Sequence, residues 1–135
     1  MDGAKGKILL VDDDADLVNL VTVRLEAYGF QVESCANGQE LLQRVKRRRP
    51  DALVLDLEMP EKNGLAALFE LKQVFGNLGR DAHLKGGLPV IVLTGLKVSE
   101  LRAIIQNTGV YDYLEKPVDI QVLAEKLIQA VGAAV

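Results

Sequence analysis

Leu53-Val54-Leu55-Asp56-Leu57-Glu58-Met59-Pro60 is an apolar run that ends on a carboxylate and is broken by proline four residues later. An unalternating run of Leu and Val is the pattern of a strand buried on both faces, as in a parallel sheet covered by helices. Asp56 then falls where the strand emerges, at the edge where open α/β sheets place their ligands. It is the first candidate for chemistry.

The segments on either side fit the same scheme. Residues 7–11 (Lys-Ile-Leu-Leu-Val) form another apolar run ending on acid, Asp12-Asp13-Asp14. Asp13 or Asp14 is placed to cap the helix that follows, because Asp accepts hydrogen bonds from the free N–H groups of a first turn. Over residues 15–28, Leu17, Val18, Val21, Leu25 and Tyr28 recur at helical spacing, and Gly29 stops the helix. Residues 30–35 read as a strand. Asn37-Gly38 turns into a helix through Arg48, with Leu41, Leu42 and Val45 inward, and Pro50-Asp51 breaks it.

Beyond the Asp56 strand, residues 59–64 are a loop, and residues 65–75 are helical with Leu68, Leu71, Val74 and Phe75 as expected core. Residues 76–88 hold four glycines and read as a surface loop, long at thirteen residues for a helix-to-strand connection. A tolerated insertion accounts for it, since loops lengthen at low entropic cost. His83 lies there without clustered partners. Residues 90–93 form the fourth strand, ending at Thr94-Gly95. Ser99 is placed to cap a helix through Thr108 that carries Leu101, Ile104 and Ile105. A short strand over residues 111–115 leads to Lys116-Pro117, and residues 120–131 form the last helix, packed through Val122 or Leu123, Leu127 and Val131.

Each strand is thus followed by a helix, which implies an α/β fold with a parallel sheet, right-handed crossovers and helices on both faces. A chain of 135 residues is expected to be one domain, 1–135 with its core over about 7–131, able to bury a core without staples. Cys35 has no partner cysteine, and no Cys/His cluster offers zinc spacing. The net charge of −3 is modest, which points away from a direct nucleic-acid role. The run Lys46-Arg47-Arg48-Arg49 is read as a solvated helix end that complements the helix dipole. With no long apolar span and no signal-like start, a cytoplasmic protein without membrane attachment is expected.

Four strand ends carry groups that could meet: Asp12-Asp13, Asp56, Thr94 and Lys116. In a parallel sheet these ends share one edge. Crowded carboxylates repel and invite a hard divalent cation; Mg²⁺ takes one or two carboxylates and keeps positions for waters and phosphate oxygens. A lysine and a hydroxyl suit a phosphoryl group, and Asp56 between metal and lysine could attack phosphorus. Taken singly, Asp13 could be only a helix cap, Thr94 a strand-end hydrogen bonder and Lys116 a surface charge. The joint placement in complementary types is what argues for a site.

In this arrangement the chain resembles the receiver domain of two-component response regulators. The resemblance runs from Lys7 to about Val131 and is carried by Ile8-Leu9-Leu10-Val11-Asp12-Asp13-Asp14, Leu53 to Pro60 with Asn63-Gly64, Val92-Leu93-Thr94-Gly95, and Tyr111-Asp112-Tyr113-Leu114-Glu115-Lys116-Pro117. It implies a flavodoxin-like three-layer sandwich with five parallel strands in the order 2-1-3-4-5. It implies that Asp56 accepts a phosphoryl group from a phosphohistidine on a histidine kinase or phosphotransfer protein. Mg²⁺ (or Mn²⁺) would be held by Asp13, Asp56 and the Glu58 backbone carbonyl, with Asp12 acting mainly through water.

By the same resemblance Thr94 and Lys116 bind the phosphoryl oxygens, and the Lys116-Pro117 peptide is cis, a form proline makes accessible. Thr94 and Tyr113 form the switch that changes the surface of the fourth helix, fifth strand and fifth helix, where a downstream partner would dock. Leu96, two residues after Thr94, is an apolar residue near the expected water approach and would slow hydrolysis of the acyl phosphate. Such a chain is not a turnover enzyme. No effector domain is expected within it, and a homodimer is compatible with the reading. The competing readings are a phosphatase of the haloacid dehalogenase type, which resembles Asp-x-Asp after a first strand, and a receiver-like scaffold that is never phosphorylated.

Overall fold

A computed structural model of the chain describes residues 5–58, 64–80, 82, 86–95 and 97–132. Along the chain run β1 (Gly6–Val11), α1 (Ala15–Ala27), β2 (Phe30–Cys35), α2 (Gly38–Arg47), β3 (Ala52–Asp56), α3 (Gly64–Phe75), β4 (Val90–Thr94), α4 (Val98–Thr108), β5 (Asp112–Glu115) and α5 (Ile120–Gly132). The strands form one parallel sheet in the order β2-β1-β3-β4-β5. This is the flavodoxin-like arrangement expected from the alternation and the resemblance.

All of β3 and β4 is buried, because the sheet has a helical layer on each side. Alternate strand residues divide between the layers. Leu9, Val11, Leu53, Leu55, Val90 and Val92 pack with Leu41, Leu68, Leu71 and Leu101 from α2, α3 and α4. Ile8, Leu10, Val54, Ile91 and Leu93 pack with Val21, Leu25, Leu123 and Leu127 from α1 and α5. Cys35 is buried at the end of β2, and burial above all, with the Glu40 charge, pushes its thiol up to about 12.

Several sequence expectations need correction. Val74 was expected in the core and is half exposed, because it lies on the outer side of α3 while Ala67, Leu68 and Leu71 face inward. Ser99 does not cap α4: it lies inside the helix, and Lys97 stands at the N-cap without a side-chain cap bond. Of the two candidate caps for α1, Asp14 does the work, its Oδ1 accepting from the Leu17 N–H at 3.2 Å.

Segment 76–88 is not simply a surface loop. Leu78, Ala82 and Leu88 are fully buried there. The Leu88 N–H donates to Asn77 O at 2.9 Å, and the Val90 N–H to Leu78 O at 3.0 Å, so the segment folds back against the start of β4. Gly87 is required by space, since a Cβ there would lie 2.1 Å from the Asn77 carbonyl oxygen. Arg47, Arg48 and Arg49 are exposed, as a solvated helix end should be, yet Arg49 also donates to Gly87 O and ties the segment to the end of α2. His83 and residues 59–63 lie outside the described residues.

Candidate functional site

The site is assembled by register. Val11 pairs with Leu55 across β1 and β3, so the next residues, Asp12 and Asp56, emerge side by side. Asp56 pairs with Leu93 across β3 and β4, which places Thr94 one step beyond it. The Lys116 N–H donates to Thr94 O at 2.8 Å, bringing the residue after β5 to the same edge. Four segments distant in sequence therefore converge at the C-terminal edge of the sheet.

Asp12 and Asp56 are almost wholly buried, at 3% and 1% exposure. The Lys116 ammonium lies 3.2 Å from a carboxylate oxygen of each. One cation thus serves two buried anions. Asp12 Oδ1 accepts the Asp14 N–H at 3.0 Å, and Asp56 Oδ1 accepts the Glu58 N–H at 3.0 Å. The turns that leave β1 and β3 are thereby fixed by the carboxylates they carry.

The electrostatics follow from this sharing. Burial raises the Asp12 carboxyl above its ordinary value and the Asp56 charge adds to the rise, while the Asp14 N–H and Lys116 work against it. For Lys116, burial is the largest single influence and lowers its pKa, but the attraction of Asp56 and Asp12 outweighs it and the net direction is upward. Lys116 remains a cation.

Asp12, Asp13 and Asp56 can each present an oxygen within 4.8 Å of the others, with Asp13 exposed. Asp12 Oδ2 is buried and has no hydrogen bond; its contact with Lys116 is an ion pair outside hydrogen-bond geometry. An unsatisfied buried carboxylate oxygen beside two further carboxylates is a hard, oxygen-only donor set, and it fits a divalent cation such as Mg²⁺.

A match to the response regulator receiver domain family covers residues 8–128. The chain belongs to the response regulator receiver family. An uncharacterized 14.6 kDa protein of Leptolyngbya boryana, described as lying in the sodA1 3' region, is 40% identical over 86% of this receiver and 82% of its own length. The CAI-1 autoinducer sensor kinase/phosphatase CqsS of Vibrio cholerae is 29% identical over 90% of this receiver but only 17% of its own length. The receiver domain of the Francisella response regulator 1452 superposes with a TM-score of 0.83 at 25% identity, covering 96% of this chain and 99% of that one. Several of the curated relatives are longer, and this chain spans half of their length or less.

Other receiver positions are placed as follows. Thr94 is fully buried at the end of β4. Tyr113 is half-buried, pairs with Val92 and packs against the core shared by α2, α3 and α4. The Lys116–Pro117 peptide is cis. Leu96 lies outside the described residues.

Two features escaped the sequence reading. A Cβ at Gly64 would lie 2.2 Å from Asp56 O and 2.6 Å from Leu57 Cα, so glycine alone lets α3 start against the end of β3. The Asn63-Gly64 pair was the available signal, read as part of a loop and as one of the receiver motifs but not as a packing requirement. The Glu58 side chain crosses to β4's exit and accepts the Gly95 N–H at 3.2 Å. Nothing in the spacing of those two residues announces that contact.

Proposed function

We propose that this receiver is a phosphoacceptor switch in which Asp56 takes a phosphoryl group from a phosphohistidine of a histidine kinase or phosphotransfer protein. The reading is carried by one observation: a nearly fully buried Asp56 carboxylate 3.2 Å from a lysine and next to two further carboxylates. An Asp56 oxygen attacks phosphorus, the P–N bond breaks, and its electron pair returns to the imidazole, which is protonated from solvent. Lys116 and Thr94 meet the phosphoryl oxygens, where negative charge is greatest.

Asp13, Asp56 and the Glu58 carbonyl would hold Mg²⁺ or Mn²⁺, with Asp12 acting mainly through water. Held there, the cation would offset repulsion between the carboxylates and the incoming phosphoryl oxygens. The modified Asp56 draws Thr94 toward it, and Tyr113 turns inward, which biases the surface of α4, β5 and α5 toward a downstream partner. The chain acts as one receiver unit that forms and loses its own acyl phosphate and does not turn over other substrates.

The test is incubation with acetyl phosphate and Mg²⁺ followed by intact mass measurement. A single transient phosphoryl adduct in the wild type, absent in Asp56→Asn, is expected. An unmodified wild type would favour a scaffold, and sustained hydrolysis of small phosphate esters would favour a phosphatase; either outcome overturns the proposal.

A further inference from the structure

Glu58 is held at both ends. Its backbone N–H donates to Asp56 Oδ1 at 3.0 Å, and its carboxylate accepts the Gly95 N–H at 3.2 Å. The second bond spans 37 residues and joins the turn after β3 to the turn after β4. A Cβ on Gly95 would lie 3.3 Å from both Glu58 carboxylate oxygens and 3.8 Å from the carboxyl carbon, so both oxygens face the Gly95 Cα. Glycine at position 95 leaves room for it.

The charge around Glu58 is unfavourable. Among the described residues no cation forms an ion pair with it, and Lys116, the cation of the neighbouring site, is shared by Asp12 and Asp56. A backbone amide is therefore what keeps this anion beside an acidic cluster. Hydrogen bonds to ionised acceptors are stronger than neutral ones, yet Glu58 is exposed, so the bond is strong enough to order a turn and weak enough to break.

From these contacts we infer that Glu58 is a positioning residue, a tether that holds the Thr94–Gly95 turn in the resting chain and is expelled when Asp56 is phosphorylated. The inference rests on the phosphoacceptor reading for its second half only. Phosphorylation turns the singly charged Asp56 carboxylate, which already binds the Glu58 amide, into an acyl phosphate of about −1.5 to −2, a net gain of up to about one negative charge spread over oxygens that reach further out. Repulsion then acts on the Glu58 side chain while its backbone stays in place. Release of the Gly95 N–H frees the turn that follows Thr94 and offers that donor to the incoming anion. In the resting state the same carboxylate opposes the arrival of a phosphodonor, so the tether also sets the rate of modification.

Amide exchange and phosphorylation of the full chain test the two halves separately. In metal-free, unphosphorylated protein, Glu58→Ala is expected to speed exchange of the Gly95 amide about fivefold, while Glu58→Gln, which keeps an acceptor, stays near wild type. With acetyl phosphate and Mg²⁺, both variants are expected to gain the adduct severalfold faster than wild type, because both remove the charge. Unchanged Gly95 exchange in Glu58→Ala would overturn the tether. A Glu58→Gln rate equal to wild type would overturn expulsion by charge. Absence of any adduct in wild type would sink the phosphoacceptor reading and the expulsion with it, but leaves the exchange result to decide the tether.

Discussion

The two edges of the sheet bury opposite kinds of atoms. At the C-terminal edge Asp12, Asp56 and Thr94 are buried and one lysine is divided between two carboxylates. At the N-terminal edge, segment 76–88 seals the start of β4 with Leu78, Ala82 and Leu88, all fully buried, and with two backbone hydrogen bonds. Apolar burial stabilises roughly in proportion to area, whereas burying charge costs unless each charge is well paired. Stability is therefore concentrated at one edge and unrelieved charge at the other. Substitutions at the two edges should accordingly differ in sign as well as in size.

The largest effect is expected from the sealed edge. Leu78→Ala removes a fully buried side chain and should cost about 2–5 kcal/mol, read from the shift of the urea midpoint at constant slope. The fraction that stays folded should still accept phosphate from acetyl phosphate, because Leu78 lies at the opposite edge from Asp56. A cost below about 1 kcal/mol would mean that the segment contributes little and that the edges differ less than their burial suggests.

The edges also differ in how far the sequence revealed them. Leu53 to Asp56 and Val90 to Thr94 announce buried strands because nearly every position is apolar up to one polar end residue, and that end residue is what locates the chemistry. Parallel pairing then brings Asp12, Asp56, Thr94 and Lys116 together with no further information. Segment 76–88 gave no such signal. Its glycines read as a surface loop, whereas Gly87 is there because a side chain would strike the Asn77 carbonyl, and Leu78 and Leu88 are too isolated to show a period. Ser99 misled for a related reason: cap chemistry competes with tertiary placement, and α4 starts two residues earlier than that cap allows. Glu58 and Gly95 could not be paired by spacing, because their contact depends on how two turns lean toward each other.

A smaller effect, of opposite sign, is expected at the charged edge. The folded-state pKa of Asp12 is raised, chiefly by burial and next by Asp56. The unfolded carboxyl ionises near ~3.9 and the folded one only at higher pH, so within that window the folded chain holds more protons. Stability falls as pH rises through the window, and above it the full cost of ionising Asp12 is carried. Asp12→Asn should therefore stabilise metal-free protein at neutral pH, read as a higher urea midpoint at constant slope. The advantage should vanish in acid below the unfolded value, where both side chains are neutral. Added Mg²⁺ should narrow the gap from the other direction by stabilising the wild type more than the variant. A variant less stable than wild type at neutral pH would show that Lys116 fully compensates both anions.

The smallest effect concerns how the sealed edge is joined to the β5 side of the sheet. The Arg80 guanidinium lies over the Tyr111 ring, 4.8 Å from its centroid, and a Cβ on neighbouring Gly79 would lie 2.5 Å from Gly109 O. These contacts connect segment 76–88 to the turn between α4 and β5. Arg80 is exposed, so the stacking should be worth only about 0.5–1 kcal/mol. Arg80→Ala should lose that amount by urea unfolding, and Arg80→Lys should keep part of it, since an ammonium retains the charge but not the planar stacking face. If Arg80→Ala costs nothing while Leu78→Ala is severe, the segment is held by its apolar anchors alone. If the cost appears and also alters amide exchange at Tyr113, the sealed edge is mechanically connected to the surface that phosphorylation would switch, and the division of labour between the edges is incomplete.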